Sequence, residues 1–568
     1  MENSTMNRYM QWCENITSGQ CYHQLQEIKD NSHAIEDAFF KELAFGTGGL
    51  RGELGVGSNR MNIYTVGKAT QGIATYIKNH LPSQLHKVAI SYDSRIQSDE
   101  FAQIVADILS ANGIEVYKYD RLMPTPCLSF ATRYYHCGIG IMITASHNPK
   151  QYNGYKVYGA DGCQITDTAA NLIYGYIQQI NPFKDVIGLN DNAKNETLIH
   201  PIEREVDDAF IANVLSQDPT SGKENINKSV KIVYSPLNGT GRVPVMETLK
   251  AYGFDAIEYV KEQELPDGTF KTCPYPNPEI KEAMQLGLAQ AKASKADLLL
   301  ATDPDCDRVG IAVKNCASAL ANGEDEYILL SGNEVGILLL DFIAKMRTKH
   351  ATMPQNPVFV KTIVTMDLAE KIANKYGIET RNVLTGFKYI GEQIGLLESE
   401  NRADDFILGF EESYGYLAGS YVRDKDAVVG SLLICICFAY YYSNGINLVD
   451  QLNALYDEFG YCYNTLHSYN FPGASGFGKM QSIMESIRNH PIEFDGFNVV
   501  EVLDYNQGIN GLPKSNVLKF IFDNGSIVFR PSGTEPKLKA YLSIVAKDCA
   551  QAKAKEQALK HIVDALMQ

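Results

Sequence analysis

Positive charge is what this chain has too little of. Lysine and arginine number 51 against 67 aspartates and glutamates, a formal net charge of −16. That balance argues against nonspecific attachment to nucleic acid or to an anionic membrane, both of which favour a basic face. The opening MENSTMNRYMQWCEN has no basic stretch followed by an apolar one, so it does not read as a secretory signal. The longest apolar run, Leu432 to Tyr442, falls well short of the ~20 residues a transmembrane helix needs and reads as a buried core helix. Twelve cysteines are present, yet none forms a C-x-x-C pair, and the closest two are Cys435 and Cys437. Such spacing gives no disulfide framework and suits free thiols in a reducing compartment. The expectation is a cytoplasmic protein that binds neither nucleic acid nor membrane.

The 568 residues predict about three to five domains. Along them one pattern recurs: a short apolar run, then at once a cluster of Gly, Pro, Asn or Asp. HKVAISYDSR, GIGIMITASHNP, VKIVYSPLNGTG, ADLLLATDPDCDR, NPVFVKTIVT and DDFILGFEESYG all have this form. Between them lie helical patterns such as GKATQGIATYIKNHL and DEFAQIVADILSANG, with apolar residues at i, i+3, i+4 and i+7. Continuous apolar strands alternating with helices predict mainly parallel sheets covered on both faces. In such sheets the loops at the carboxyl ends of the strands form the site, and every polar cluster lies there. The final ~110 residues differ, with alternating strands and a closing helix, which predicts an α+β unit with a mixed or antiparallel sheet.

Three aspartates alternate in TDPDCDR, at Asp303, Asp305 and Asp307. On extended backbone, i, i+2 and i+4 share a face, so the three carboxylates would converge. Hard oxygen ligands at that density suit Mg²⁺, and the spacing is wrong for an EF-hand. In TASHNPKQYNGYKVYG, Ser146 follows a strand and precedes an Asn-Pro turn, with His147 beside it and Lys156 the nearest cation downstream. RPSGTEPKLK gathers Arg530, Ser532, Gly533, Thr534 and Lys537, groups that grip phosphate, without the Walker A spacing of a nucleotide-binding loop. GFEESYG places Glu411 and Ser413 two apart, a carboxylate and hydroxyl pair suited to vicinal sugar hydroxyls. FGTGGLRG joins glycines that allow close backbone approach to Arg51. Read singly, each motif also fits a capped turn or a charged surface loop.

TASHNP, DPDCDR, GFEESYG and RPSGTEP, in this order, resemble the α-D-phosphohexomutases, and the likeness runs from FGTGGLRG to RPSGTEP. The resemblance implies an α/β fold: three α/β domains with mixed, mainly parallel sheets plus a C-terminal α+β domain, around a central cleft. The boundary signals then give a phosphoserine domain over 1–204, a metal domain over 205–318, a sugar-recognition domain over 319–450 and a phosphate-binding domain over 451–568. It further implies a phosphorylated Ser146 that, with Asp303, Asp305 and Asp307, binds Mg²⁺. Arg308 would face the phosphoserine. Thr385, Lys388, Glu411, Ser413 and Lys425 would hold the sugar. Arg530, Ser532 and Thr534 would grip the distal phosphate, and Arg51 and Lys156 would lie near the reacting oxygen. Lys156 is the expected base, its pKa lowered by Arg51, with His147 second. The implied activity is a phosphosugar mutase, glucose 1-phosphate to glucose 6-phosphate through glucose 1,6-bisphosphate, with mannose and pentose phosphates as alternatives. A sugar phosphatase or a non-catalytic sugar-phosphate-binding protein ranks lower. A monomer or homodimer is expected. Gathering Arg51, Arg308, Lys388, Lys425, Arg530 and Lys537 in one cleft would reconcile an anionic substrate with an acidic protein.

Overall fold

A computed structural model describes residues 3–567 apart from 47, 190–192, 472, 491, 493, 510 and 533–536. Four sheets follow one another along the chain. The first has six strands, in the spatial order Gly49–Glu53, Tyr152–Gly159, Ile139–Ile143, Lys87–Tyr92, Glu115–Lys118, Ile199–Pro201. Its last four strands are parallel and its first two join antiparallel. Every residue of Ile139–Ile143 is buried, as a strand covered on both faces requires. Helices Ile63–His80 and Ser98–Ala111 fall on the two helical patterns and share one core with this sheet.

The second sheet is built on Ile232–Ser235 and Leu298–Thr302, which are parallel neighbours. Leu298–Thr302 then turns back on itself, pairing antiparallel with Val309–Lys314. The third sheet runs Glu379–Val383, Val358–Thr362, Phe406–Glu411, Gly415–Leu417, with only the last pair antiparallel. The fourth is antiparallel throughout, in the order Tyr461–Asn470, Lys537–Ala546, Gly525–Pro531, Leu518–Phe522, Val499–Asp504. Helix Cys549–Leu566 packs on it.

The apolar run at 432–442 lies in helix Ala427–Ser443, buried over almost its whole length between the second and third sheets' helices. Among the described residues no single helix is long and apolar enough to cross a membrane. The boundary expected at 450 falls inside helix Leu448–Phe459, which packs on the third unit's helices. All twelve cysteines are free, and nine are buried. Ahead of the first sheet stand three helices, Asn3–Asn15, Gly19–Ile28 and Ser32–Phe39, packed around Trp12 and Phe39. The sequence reading had not assigned them.

Candidate active site

One cleft of about 630 Å³ is bordered by all four domains, the first three through loops and neighbouring strand residues and the fourth through the strands of its sheet. The loops belong to strand ends, as expected for sheets of this type. Three of them turn on a non-glycine residue in the left-handed region: Ser146 at φ 52°, Cys306 at 53° and Tyr414 at 64°. Each such residue costs on the order of 1–3 kcal/mol of local strain, which the surrounding packing must hold.

Ser146 is buried three residues beyond Ile139–Ile143. Its Oγ donates to Asp303 Oδ2 at 2.8 Å and lies 3.1 Å from His147 Nδ1. Thr144 Oγ1 accepts from the Ser146 N–H at 2.8 Å. The loop is held from below by Arg95, a residue the sequence reading did not single out. Its guanidinium donates to the carbonyls of Ser146, Asn148, Pro149 and Tyr152. Asp93 stands 3.3 Å away as the counter-charge, itself accepting from Thr144 Oγ1 at 2.6 Å. The only hint in sequence was the YDSR cluster after an apolar run.

Asp303, Asp305 and Asp307 do converge, their ligand atoms lying within 4.8 Å of one another, all buried. They do so for a different reason from the one expected. The segment is the turn of a β-hairpin, closed by Cys306 N donating to Asp303 O at 2.9 Å, and not an extended face. Asp303 Oδ1 accepts from the N–H groups of Asp307 and Arg308. Thr125 Oγ1 reaches Asp305 from the first domain at 3.0 Å. Behind the turn, Thr240 N and Oγ1 both donate to Pro304 O. A Cβ on Gly239 would stand 2.4 Å from Pro304 Cα, so the SPLNGTG cluster is the bed of this turn.

The donor set fits a hard divalent cation. Asp305 Oδ1 and Asp307 Oδ1 are buried without a hydrogen-bond partner, an expensive condition for a carboxylate unless something positive occupies the space between them. Burial, with Asp307 and Asp305 alongside, pushes the Asp303 carboxyl well above its usual range. Burial acts the same way on Asp305 and Asp307, but Lys156 and Lys425 overcome it and hold both carboxyls down.

Lys156 is therefore not the low-pKa amine expected. Its Nζ is 2.7 Å from Asp305 Oδ2 and 3.3 Å from Asp307 Oδ2. Burial lowers its pKa, but these two carboxylates raise it further, and the net shift is upward. His147 shifts the other way, well below its ordinary value, through burial and then the charges of Arg308 and Arg51. Arg51 donates to Asn148 Oδ1 at 3.0 Å from strand Gly49–Glu53, whose Gly49 sits opposite Lys156. Arg308 is paired with Glu279 and reaches Asp307 at 3.8 Å.

On the third domain's side, Glu411 Oε1 accepts from Gly386 N at 3.0 Å. Burial raises its pKa to about 7 against the pull of Lys425, with Glu412 adding to the rise. Lys425 Nζ bridges Asp307 at 3.1 Å and Asp424 at 2.9 Å. Thr385 and Ser413 border the cleft, and Thr385 Oγ1 is buried without a hydrogen-bond partner. Lys388 does not border it. Its ammonium pairs with Asp167 of the first domain at 2.9 Å, a partner that no local motif could reveal. Arg530 borders the cleft from the fourth domain. Ser532 and Lys537 stand at the ends of its loop, joined by Ser532 N donating to Lys537 O at 2.7 Å. Neither is among the residues bordering the cleft, and Gly533 and Thr534 lie outside the described residues. The positive lining expected of an acidic protein is present, but its members are Arg51, Lys156, Arg308, Lys425, Lys519, Arg530 and Lys539.

Comparison with known proteins agrees with this arrangement. Models of the phosphoglucomutase/phosphomannomutase family match in order: α/β/α domain I over 42–183, domain II over 208–317, domain III over 331–459 and the C-terminal domain over 493–558. A phosphoglucomutase of Staphylococcus epidermidis is 37% identical over 514 residues, 88% of this chain and 90% of that protein. One of Staphylococcus aureus is 36% identical over 562 residues, 96% and 97% of the two chains. Among solved structures, pp63/parafusin, the phosphoglucomutase of Paramecium, superposes with a TM-score of 0.67 at 18% identity, covering 93% of this chain and 95% of its own. A phosphoglucomutase/phosphomannomutase family protein of Burkholderia thailandensis gives 0.67 at 17% identity, covering 92% and 97%. With four domain models matched in sequence and more than a third of its residues shared with full-length relatives, the chain belongs to the phosphoglucomutase/phosphomannomutase family and is a phosphosugar mutase.

Proposed function

We propose that this mutase interconverts glucose 1-phosphate and glucose 6-phosphate through a phosphoserine at position 146 and a glucose 1,6-bisphosphate that reverses in the cleft. The observation that carries the reading is the 2.8 Å hydrogen bond from Ser146 Oγ to Asp303 Oδ2. It brings the Ser146 hydroxyl within hydrogen-bonding reach of the turn that carries the three aspartates. The relatives named phosphoglucomutase support glucose as the sugar. An N-acetylphosphoglucosamine mutase of Aspergillus fumigatus, which shares the fold at 12–13% identity, has been solved with glucose 1,6-bisphosphate and with GlcNAc-6P and magnesium.

Asp303, Asp305, Asp307 and a phosphoserine oxygen would hold Mg²⁺, which supplies charge neutralisation on the transferring phosphoryl group. The chain's own residues supply position, on which phosphoryl transfer chiefly depends. Arg95 fixes the serine loop through four carbonyls. Arg51 and Arg308 flank the transferring group, Glu411 and Ser413 take sugar hydroxyls, and Arg530 with its loop takes the distal phosphate. The acceptor hydroxyl must lose a proton. His147 is held neutral and is ready to accept it. Lys156, whose two carboxylate partners raise its pKa, ranks behind His147, the reverse of the sequence expectation. Purified protein with Mg²⁺ and catalytic glucose 1,6-bisphosphate, offered glucose, mannose and ribose 1-phosphates side by side, tests the reading. Glucose 1-phosphate should turn over fastest, and turnover only of ribose 1-phosphate, or release of free phosphate as the main product, would reject it.

A further inference from the structure

A second charged cluster lies along the same cleft, at the seam between the third and fourth domains. Asp367, just before helix Leu368–Lys375, is its centre. Lys519 Nζ, from strand Leu518–Phe522 of the fourth domain, reaches Asp367 Oδ1 at 2.8 Å and Ile363 O at 3.3 Å. Ser526 Oγ, from the neighbouring strand Gly525–Pro531, donates to Asp367 Oδ2 at 2.8 Å. Lys361, whose side chain is wholly buried in the third domain, reaches Asp367 Oδ1 and Glu370 Oε1, each at 3.1 Å. Burial works against a charge on Asp367, but Lys361 and Lys519 hold its carboxyl well below the usual range.

Two features of the seam give the cluster a role. The first is the strand it grips. Ser526, Val528 and Arg530 alternate on Gly525–Pro531, so they share one face. Ser526 is tied to Asp367, and Val528 packs with Ile363, Val364 and Tyr541 across the seam. Arg530 borders the cleft. A strand is stiff along its length, so fixing Ser526 fixes the height at which Arg530 enters. The second is a separate cavity of about 780 Å³ behind the cleft. Ile363, Asp367, Lys519 and Ser543 border both cavities and so form the partition between them.

We propose that Asp367 is a positioning residue for the phosphosugar reaction: tied to Lys519 and Ser526 of the fourth domain, it sets Arg530 at the distal phosphate and walls the reacting cleft off from the cavity behind. This rests on the mutase reading given above. Two effects should follow when the tie is cut. Substrate binding weakens, because Arg530 is no longer pre-placed. The cleft is open to solvent, and a phosphosugar held less firmly shields phosphoserine 146 less, so the oxygen of a water molecule attacks its phosphorus. The P–Oγ bond breaks, the serine oxygen takes a proton, and inorganic phosphate leaves.

The test compares Asp367→Asn, Ser526→Ala and wild type for KM, kcat, phosphate released per isomerisation, and glucose 6-phosphate binding by calorimetry. Asp367→Asn should raise KM about tenfold or more, the effect of one lost charge-assisted contact, with a smaller change in kcat. It should also raise phosphate release, and Asp367→Glu should restore part of both. Ser526→Ala cuts the same tie from the other domain with little disturbance, and should move both readouts in the same direction by less. Folded variants that keep wild-type KM and phosphate release, losing only thermal stability, would overturn the proposal. If wild type shows no mutase activity, the functional reading falls first. The tie is then judged by binding alone, and equal glucose 6-phosphate affinity in wild type and Asp367→Asn, or no binding in either, would overturn it too.

Discussion

Ser146 and Asp303 are 157 positions apart in the chain and share a hydrogen bond of 2.8 Å. The bond crosses from the loop after one sheet's strand to the turn of another sheet's hairpin, so the proposed reacting centre takes residues from two domains. Asp303 also receives the N–H groups of Asp307 and Arg308 on its other oxygen. The carboxylate that faces the serine is thus fixed by its own turn.

Ser146→Ala should lower mutase activity by about three orders of magnitude or more, as loss of a covalent nucleophile does. The fold should survive, since the lost hydrogen bond contributes only about 1 kcal/mol. Mass spectrometry after incubation with glucose 1,6-bisphosphate should find a phosphoryl group on wild type and none on the variant. Retained turnover in the alanine protein would remove Ser146 from the mechanism.

Chelation should abolish turnover, and Mg²⁺ should restore it. A readout apart from activity comes from melting. A ligand present at about a hundred times its Kd adds about 2.7 kcal/mol to the unfolding free energy, so Mg²⁺ should raise the wild-type Tm. Asp305→Asn removes one of the orphaned carboxylate oxygens and should shrink that Tm rise. An equal rise in both proteins would place the cation elsewhere.

Glu411, with its pKa raised to about 7, should link pH to both stability and affinity, with opposite signs. The folded carboxyl keeps a proton where the unfolded one has lost it. Its contribution to stability is therefore full below the ordinary carboxylate range and is lost as pH rises through about 7. The charged form is the better acceptor for sugar hydroxyls, so KM should fall over the same rise. Glu411→Gln should flatten both trends, and a KM profile through neutrality unchanged by that substitution would rule this linkage out.

Gly239→Ala adds a methyl group at a residue that touches no ligand. Its Cβ would press on Pro304 Cα at 2.4 Å, an overpacking of about 1–3 kcal/mol. The turn bearing Asp303, Asp305 and Asp307 must shift, so the Mg²⁺ concentration for half-maximal activity should rise. Wild-type Mg²⁺ dependence in this variant would show that the turn keeps its shape without the glycine.

What the sequence reveals and what it hides follow from the range of each interaction. Strands such as Ile139–Ile143 and Leu298–Thr302 were legible because burial on both faces leaves a continuous apolar run. The three aspartates were legible as a cluster, but the alternation argument rested on extended backbone, whereas Cys306 bends the chain through a left-handed turn. The charge state of Lys156 was not legible, since its partners lie 149 and 151 positions away. The ion pair of Lys388 was not legible for the same reason: a local motif cannot show Asp167, 221 positions away. Arg95 was passed over because its work is done on backbone carbonyls, which carry no sequence signature. Asp367 sits in an ordinary helix start, and only the docking of the fourth domain gives it neighbours.

The nine buried thiols are spread over all four domains, with Cys163 in the first, Cys306 in the second, Cys435 in the third and Cys462 in the fourth. A cysteine sealed from solvent reacts with an alkylating reagent only when its surroundings open. The molecule therefore carries a built-in set of clocks. Timed labelling read peptide by peptide would report how often each domain breathes, and whether occupancy by a sugar phosphate slows one domain or the whole assembly.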